Sequence, residues 1–185
     1  MLSRRQPAIP VEHEASSRAA SIVVIAGVSS VGKTSIGSAL AQRIGARFID
    51  ADDFHPPENV RKMANGVPLT DDDRWPWLDR LNQELRAASI RGERVVLACS
   101  ALKAAYRARL GNGVEGFVLV LLTGSRELLA RRAAAREHRY MPPSLLDSQL
   151  ATLEPLAPDE GWEMDVTPSI EEVAGSIARR LQADA

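Results

Sequence analysis

Gly27-Val28-Ser29-Ser30-Val31-Gly32-Lys33-Thr34 follows the apolar run Ile22-Val23-Val24-Ile25-Ala26 and precedes a helix-like run from Ser35 to Ile44. Strand, glycine loop and helix in this order carry the spacing G-x-x-x-x-G-K-[ST] of a phosphate-binding P-loop. Backbone N–H groups in such a loop curl round a phosphate, and the helix N-terminus behind them adds partial positive charge. Lys33 is expected to reach the β- and γ-phosphates of a nucleoside triphosphate, and Thr34 to offer its hydroxyl to Mg²⁺. Gly27, Val28, Ser29, Ser30, Val31, Gly32, Lys33, Thr34 and Ser35 are therefore the expected nucleotide-binding residues. An ordinary strand-to-helix turn would explain the glycines but not Lys33 directly after Gly32.

The bulk numbers narrow the rest. The chain has 185 residues, enough for one domain with a sizeable core. A formal net charge of −1 and 4% aromatic residues argue against nucleic-acid binding and against an anionic membrane surface. Cys99 is the single cysteine, which excludes an intrachain disulfide and a multi-cysteine zinc site and suits a reducing, cytoplasmic setting. No apolar run approaches the roughly 20 residues that span a bilayer. Residues 1–20 lack the apolar core of a signal peptide, and Glu12 and Glu14 weaken a transit-peptide reading. They are expected to form a disordered extension, with residues 21–185 as the single folded domain.

Beyond the P-loop helix, Arg47-Phe48-Ile49-Asp50 reads as a second strand ending in Asp50-Ala51-Asp52-Asp53-Phe54-His55-Pro56-Pro57. Ligands of open α/β sheets bind beyond the carboxyl ends of the strands, where these acids fall. Strand alternation would put Asp50 and Asp52 on one side. One carboxylate would order Mg²⁺ and its waters, and the other would accept a proton from a substrate hydroxyl. Helix capping by Asp53 is the plainer alternative. Pro57 to Ala64 reads as a short helix stopped by Asn65-Gly66, and Thr70 or Asp71 would cap a long helix to about Ser89. Arg74, among three acids, is either a solvated ion pair or a ligand for an anion.

Arg94 to Cys99 is apolar enough for a central third strand, with Lys103, Tyr106 and Arg107 following it. This strand does not end in an acid, so the metal-ordering carboxylate is expected to be Asp50. Lys103 and Arg107 lie one helical turn apart, either as a solvated face or as a clamp on an anionic second substrate. Phe117 to Leu122 is the fourth strand. The helix capped by Ser125 carries Arg131, Arg132, Arg136 and Arg139, which suit a lid over the nucleotide phosphates or a plain basic surface. Helices from Ser144 to Leu153 and Ile170 to Leu181 flank a short last strand at Trp162–Val166. Five strands interleaved with helices predict a three-layer α/β/α fold on a parallel sheet.

Several segments together resemble the gluconokinases of the small P-loop kinase type, which have a shikimate- and adenylate-kinase-like fold. They are Asp50 to Pro56, Lys62 to Leu69, Asp71 to Leu78, Cys99 to Lys103 with Tyr106-Arg107, and Met141-Pro142 with Leu145-Leu146, Ser148-Gln149-Leu150 and Thr152-Leu153-Glu154. The resemblance implies ATP-dependent phosphorylation of D-gluconate to 6-phosphogluconate, with Mg²⁺, a helical lid and often a homodimer. It implies that Asp52 meets the substrate hydroxyl and that His55, Arg74, Lys103 and Arg107 face gluconate. Lys33 and Arg132 join Asp52 in the expected catalytic set, with Arg132 and Arg136 as lid arginines on ATP. A kinase of another small polar acceptor, such as shikimate, and a P-loop binding protein without an acceptor are the alternatives. Ser30 departs from the usual glycine, and the loop accommodates it if its φ is negative. His138-Arg139-Tyr140 departs from the family's Gly-His-Phe.

Overall fold

A computed structural model describes residues 22–135 and 143–184. Strand β1 (Ile22–Ala26) leads through the phosphate loop into helix α1 (Lys33–Ile44). Then come β2 (Arg47–Asp50), a 3₁₀ turn (Ala51–Phe54), α2 (Pro57–Ala64) and α3 (Asp71–Ile90). Next are β3 (Val95–Ala98), α4 (Ala104–Gly111), β4 (Phe117–Thr123) and α5 (Arg126–Ala134). The chain closes with α6 (Pro143–Thr152), β5 (Trp162–Asp165) and α7 (Ile170–Ala183). The five strands form one sheet in the order β2-β3-β1-β4-β5, and every pairing is parallel.

The pattern of β1 explains its central place. Every residue from Ile22 to Ala26 is buried, as a strand covered on both faces requires. Val23 and Ile25 face the layer that holds Ile36, Leu40, Val173 and Ile177 from α1 and α7. Ile22 and Val24 face Leu78, Leu81, Leu85 and Leu110 from α3 and α4. The period of two along the strand thus feeds two separate apolar cores.

β1 pairs with β3 on one side and β4 on the other, so the chain reverses its winding direction at β1. The crevice beyond such a switch point is where open α/β sheets bind ligands. Register sets what lies beside it: Ala98 pairs with both Ile25 and Asp50, so β1, β3 and β2 end level with one another. The phosphate loop and the Asp50 cluster therefore share one edge. The segment between α5 and α6, where a lid is expected, lies outside the described residues. So do residues 1–20, Arg136, His138, Arg139, Tyr140 and Met141-Pro142.

Candidate active site

The phosphate loop is anchored by its apolar members. Val28 and Val31 are buried, and the Gly27 amide donates to the Ser100 carbonyl at 3.1 Å, tying the loop to the end of β3. Gly27 has φ +141°, and a Cβ there would sit 2.9 Å from the Leu122 carbonyl oxygen, so the position admits only glycine. Ser30 has φ +62°. The condition of a negative φ is thus not met: a serine occupies the left-handed region here, at a cost of about 1–2 kcal/mol that the surrounding loop offsets.

Lys33 Nζ donates to the Val28 carbonyl at 2.8 Å, folding its side chain back over the loop. Thr34 Oγ1 donates to Asp50 Oδ2 at 3.1 Å. The other carboxylate oxygen, Oδ1, accepts the Asp52 amide at 3.1 Å and so caps the 3₁₀ turn. Capping in this segment falls to Asp50, not Asp53. The turn also breaks the alternation expected for Asp50 and Asp52, because the strand stops at Asp50. Asp52 nonetheless comes to the same place, near enough to Asp50, His55 and Lys33 to sense all three charges. Partial loss of solvation raises its carboxyl pKa most, and the Asp50 charge adds to this, while His55 and Lys33 pull it down. Its side chain is 88% exposed, so solvent screening keeps the net push modest.

His55 is held rigidly. Its side chain is 5% exposed, and its ring stacks on Trp77 with centroids 4.2 Å apart and planes 14° apart. Trp77 is itself fixed by donating Nε1–H to the Ala51 carbonyl at 2.8 Å. His55 Nε2 lies 3.9 Å from Asp52 Oδ1, while Nδ1 is buried without a hydrogen-bond partner. Burial lowers the imidazole pKa, and the Asp52 charge opposes this.

On the far side of Asp52, α3 and α4 build a cup. Asp71 accepts both oxygens' worth of hydrogen bonds from Lys103 Nζ, at 2.9 and 2.8 Å, and one from the Tyr106 hydroxyl at 2.5 Å. These bonds hold the Asp71 carboxyl below its usual range. Arg74 donates to the Leu69 carbonyl at 2.7 Å and lies over the Tyr106 ring at 5.7 Å, with Lys103 Nζ 5.4 Å from the same ring. Thr70 caps α3 in a full capping box with Asp73, whose carboxyl also takes Lys62 Nζ at 2.6 Å. The three consecutive acids thus differ: Asp71 faces the cup, Asp73 caps, and Asp72 is exposed. Asp71 and Tyr106 were not expected in the site. The i, i+3 spacing of Asp71 and Arg74 on one helix face was the signal for the first.

Arg107 is a correction. Its guanidinium is buried, and every N–H is used inside the protein. Nε and Nη2 reach the two oxygens of Glu160 at 2.6 and 3.0 Å, Nη1 reaches the carbonyls of Leu102 and Glu154, and Nη2 also reaches that of Pro155. No donor is left for a substrate. Lys103 and Arg107 do not form a clamp, because Lys103 is the N-cap of α4 rather than a member of the helix, and its side chain leaves toward α3.

Arg132 ends α5 beside the loop, donating to the carbonyls of Val166 at 2.8 Å and Val31 at 3.4 Å. With Ser35, Ile36, Val166, Pro168 and Ile170 it lines a cavity of about 270 Å³ next to the phosphate loop. A wider groove of about 590 Å³, lined by Phe117, Arg107 and Glu160, lies at the start of β4, the opposite end of the sheet from the loop, and is a poor candidate for the chemistry. Cys99 is buried beneath the site and its thiol is pushed up to about 12 by that burial, so it offers no thiolate.

A family model described as an AAA domain matches residues 22–156, which contain the phosphate loop, the Asp50–His55 segment and the cup. A probable gluconokinase of Xenopus tropicalis is 42% identical over 180 residues, covering 86% of this chain and 95% of its own. The chain belongs to the gluconokinases. The gluconokinase of Gluconobacter oxydans is 46% identical over 138 residues, covering 75% of this chain and 78% of its own. The crystal structure of a gluconokinase from Sinorhizobium meliloti superposes with a TM-score of 0.77 at 41% identity, covering 91% of this chain and 99% of that one. A shikimate kinase from Acinetobacter baumannii shares the fold, with a TM-score of 0.59 at 19% identity.

Proposed function

We infer that the chain is an ATP-dependent kinase that transfers the γ-phosphoryl group to the 6-hydroxyl of D-gluconate. Family membership supports the activity, and one structural observation supports the chemistry. The phosphate loop and the Asp52–Asp71–Lys103 cup open onto the same edge of the sheet, with Asp52 near enough to Lys33 to feel its charge.

In this reading the loop amides and Lys33 hold the triphosphate, and Arg132 lies on the nucleotide side. Arg74 and Lys103 meet the gluconate carboxylate, and Asp71 and Tyr106 accept and donate to its hydroxyls. Thr34 and Asp50 are suited to Mg²⁺, a hard cation that takes one or two protein oxygens and fills its shell with water and phosphate. Their 3.1 Å contact puts a hydroxyl and a carboxylate together. The cation would supply charge neutralisation on the phosphates. Asp52 takes the hydroxyl proton as the new O–P bond forms, and the bond to the β–γ bridging oxygen breaks to release ADP with that electron pair. A primary alcohol aligned with the γ-phosphate needs positioning more than strong base catalysis, which suits a carboxylate. His55, locked on Trp77, lies beside the Asp52 carboxylate, with Nε2 3.9 Å from Oδ1.

A homodimer in a cytoplasmic setting is part of the same proposal. No helix among the described residues is long and apolar enough to cross a membrane. The test is a coupled ADP-release assay against gluconate, shikimate and nucleoside monophosphates. We expect release only with gluconate. Preference for another acceptor, or release without any acceptor, overturns the reading.

A further inference from the structure

The contact that carries most beyond the reading above joins the phosphate loop to α6. Gln149 Oε1 accepts the Ser29 amide at 2.6 Å, across 120 residues of sequence. A backbone N–H only donates, so the carbonyl end of the carboxamide must face the loop. The same peptide unit is held on its other side, because the Val28 carbonyl accepts Lys33 Nζ at 2.8 Å. In a trans peptide the C=O and N–H point in opposite directions. Lys33 and Gln149 therefore grip the Val28–Ser29 peptide from opposite edges of its plane. The turn after α6 continues the link to the acceptor side. The Glu154 amide donates to the Leu102 carbonyl at 2.9 Å, and Glu154 Oε2 accepts the Ala104 amide at 2.7 Å, bracketing Lys103.

We propose that Gln149 is a positioning residue for phosphoryl transfer, holding the Val28–Ser29 peptide in place when Lys33 leaves the Val28 carbonyl for the triphosphate. Lys33 has two uses for one ammonium. While it sits on Val28 it polarises the peptide and strengthens the Ser29 bond to Gln149. When ATP takes it away, the Gln149 bond stays on the plane. Without that bond the peptide is held less firmly, and the loop is ordered as the nucleotide binds, at a cost in nucleotide affinity and not in acceptor affinity.

The inference rests on the loop being the ATP site, and the experiment separates the two. Gln149→Met keeps length and volume but removes the acceptor, and Gln149→Glu keeps an acceptor but adds charge. ADP titrations, KM for ATP and for gluconate, kcat, Tm and the Ser29 amide resonance are measured on both and on the wild type. For Gln149→Met we expect ADP affinity to fall and KM for ATP to rise about three- to tenfold, the equivalent of one net hydrogen bond. KM for gluconate should stay within about twofold, and the Ser29 amide should move upfield. Gln149→Glu should leave the Ser29 amide downfield and lose ATP affinity in a way that salt relieves. Wild-type nucleotide parameters in Gln149→Met, or equal losses for both substrates with a lowered Tm, overturn the proposal. If Gln149→Met does not fold, an upfield Ser29 amide in Gln149→Glu does the same. A wild type that binds no ADP would instead sink the reading of the loop.

Discussion

The two halves of the site are made differently. The proposed phosphate side is one contiguous stretch, Gly27 to Thr34, a backbone loop set by buried Val28 and Val31 and by glycine geometry. The acceptor side proposed above draws on side chains from three separate segments: Asp52 and His55 from the turn after β2, Asp71 and Arg74 from α3, and Lys103 and Tyr106 around the start of α4. Every phosphate binds the same amide cradle, so that side needs only correct backbone geometry. A polyhydroxy acid is told from its relatives by where its hydroxyls and carboxylate lie, so that side needs side chains held in fixed relation. The Asp71–Lys103–Tyr106 knot and the His55–Trp77 stack supply that rigidity.

The contrast is broken most severely by attacking the group both halves serve. Lys33→Met should lower kcat by about a thousandfold, the upper end for loss of one charged donor to the transition state, with the fold intact by circular dichroism. Near-wild-type turnover would remove Lys33 from the chemistry. Asp52→Asn should lower kcat about a hundredfold with little change in KM for ATP, because late proton transfer makes a modest demand on a base. The wild-type rate should also fall as pH drops through the Asp52 pKa, with the inflection above the ordinary 3.8 because the folded site raises it. An inflection at or below 3.8 would contradict the geometry.

The residues that were readable from sequence are those whose role is local. The strand–loop–helix order around Gly27 to Thr34, the end of β2 at Asp50 and the Ser125 cap of α5 each depend on neighbours within a few positions. Arg107 was misread because helical spacing from Lys103 assumes that both belong to the helix, and only the fold shows that one is its cap and the other a buried staple. The φ of Ser30 was open in the sequence because a residue's tolerance for positive φ depends on the loop around it. Gln149 was visible as part of a family-like segment, but its target, the Ser29 amide, is set by tertiary packing that no spacing encodes.

Arg107 and Lys103 sharpen the comparison in a single pair of variants. Arg107→Met leaves Glu160 and three carbonyls without their donor, at a cost near 3 kcal/mol, the lower end for a broken buried pair because Glu160 reaches solvent. That corresponds to a Tm lower by about 6–12 °C, with KM for gluconate little changed. Lys103→Met should do the reverse, raising KM for gluconate about tenfold or more through loss of a charged hydrogen bond, with a small change in Tm. If Arg107→Met raises KM for gluconate as much as Lys103→Met does, the buried-staple assignment is wrong.

The smallest effect belongs to the brace beneath the cup. Lys62 and Thr70 hold the Asp73 carboxyl down at about 2, from an ordinary 3.8. A carboxyl whose folded pKa is depressed binds protons more readily in the unfolded chain, so its contribution is fully present above about pH 4 and is lost as pH falls toward 2. Asp73→Asn keeps an acceptor for the Thr70 amide but gives up the charge. Its Tm should therefore lie slightly below wild type at pH 7, and the two curves should converge between pH 4 and pH 2 in scanning calorimetry. Because the carboxylate is close to solvent, raised salt should narrow the gap at pH 7 as well. A gap that stays constant down to pH 2 would mean that the capping geometry, not the charge, is what Asp73 contributes to the start of α3.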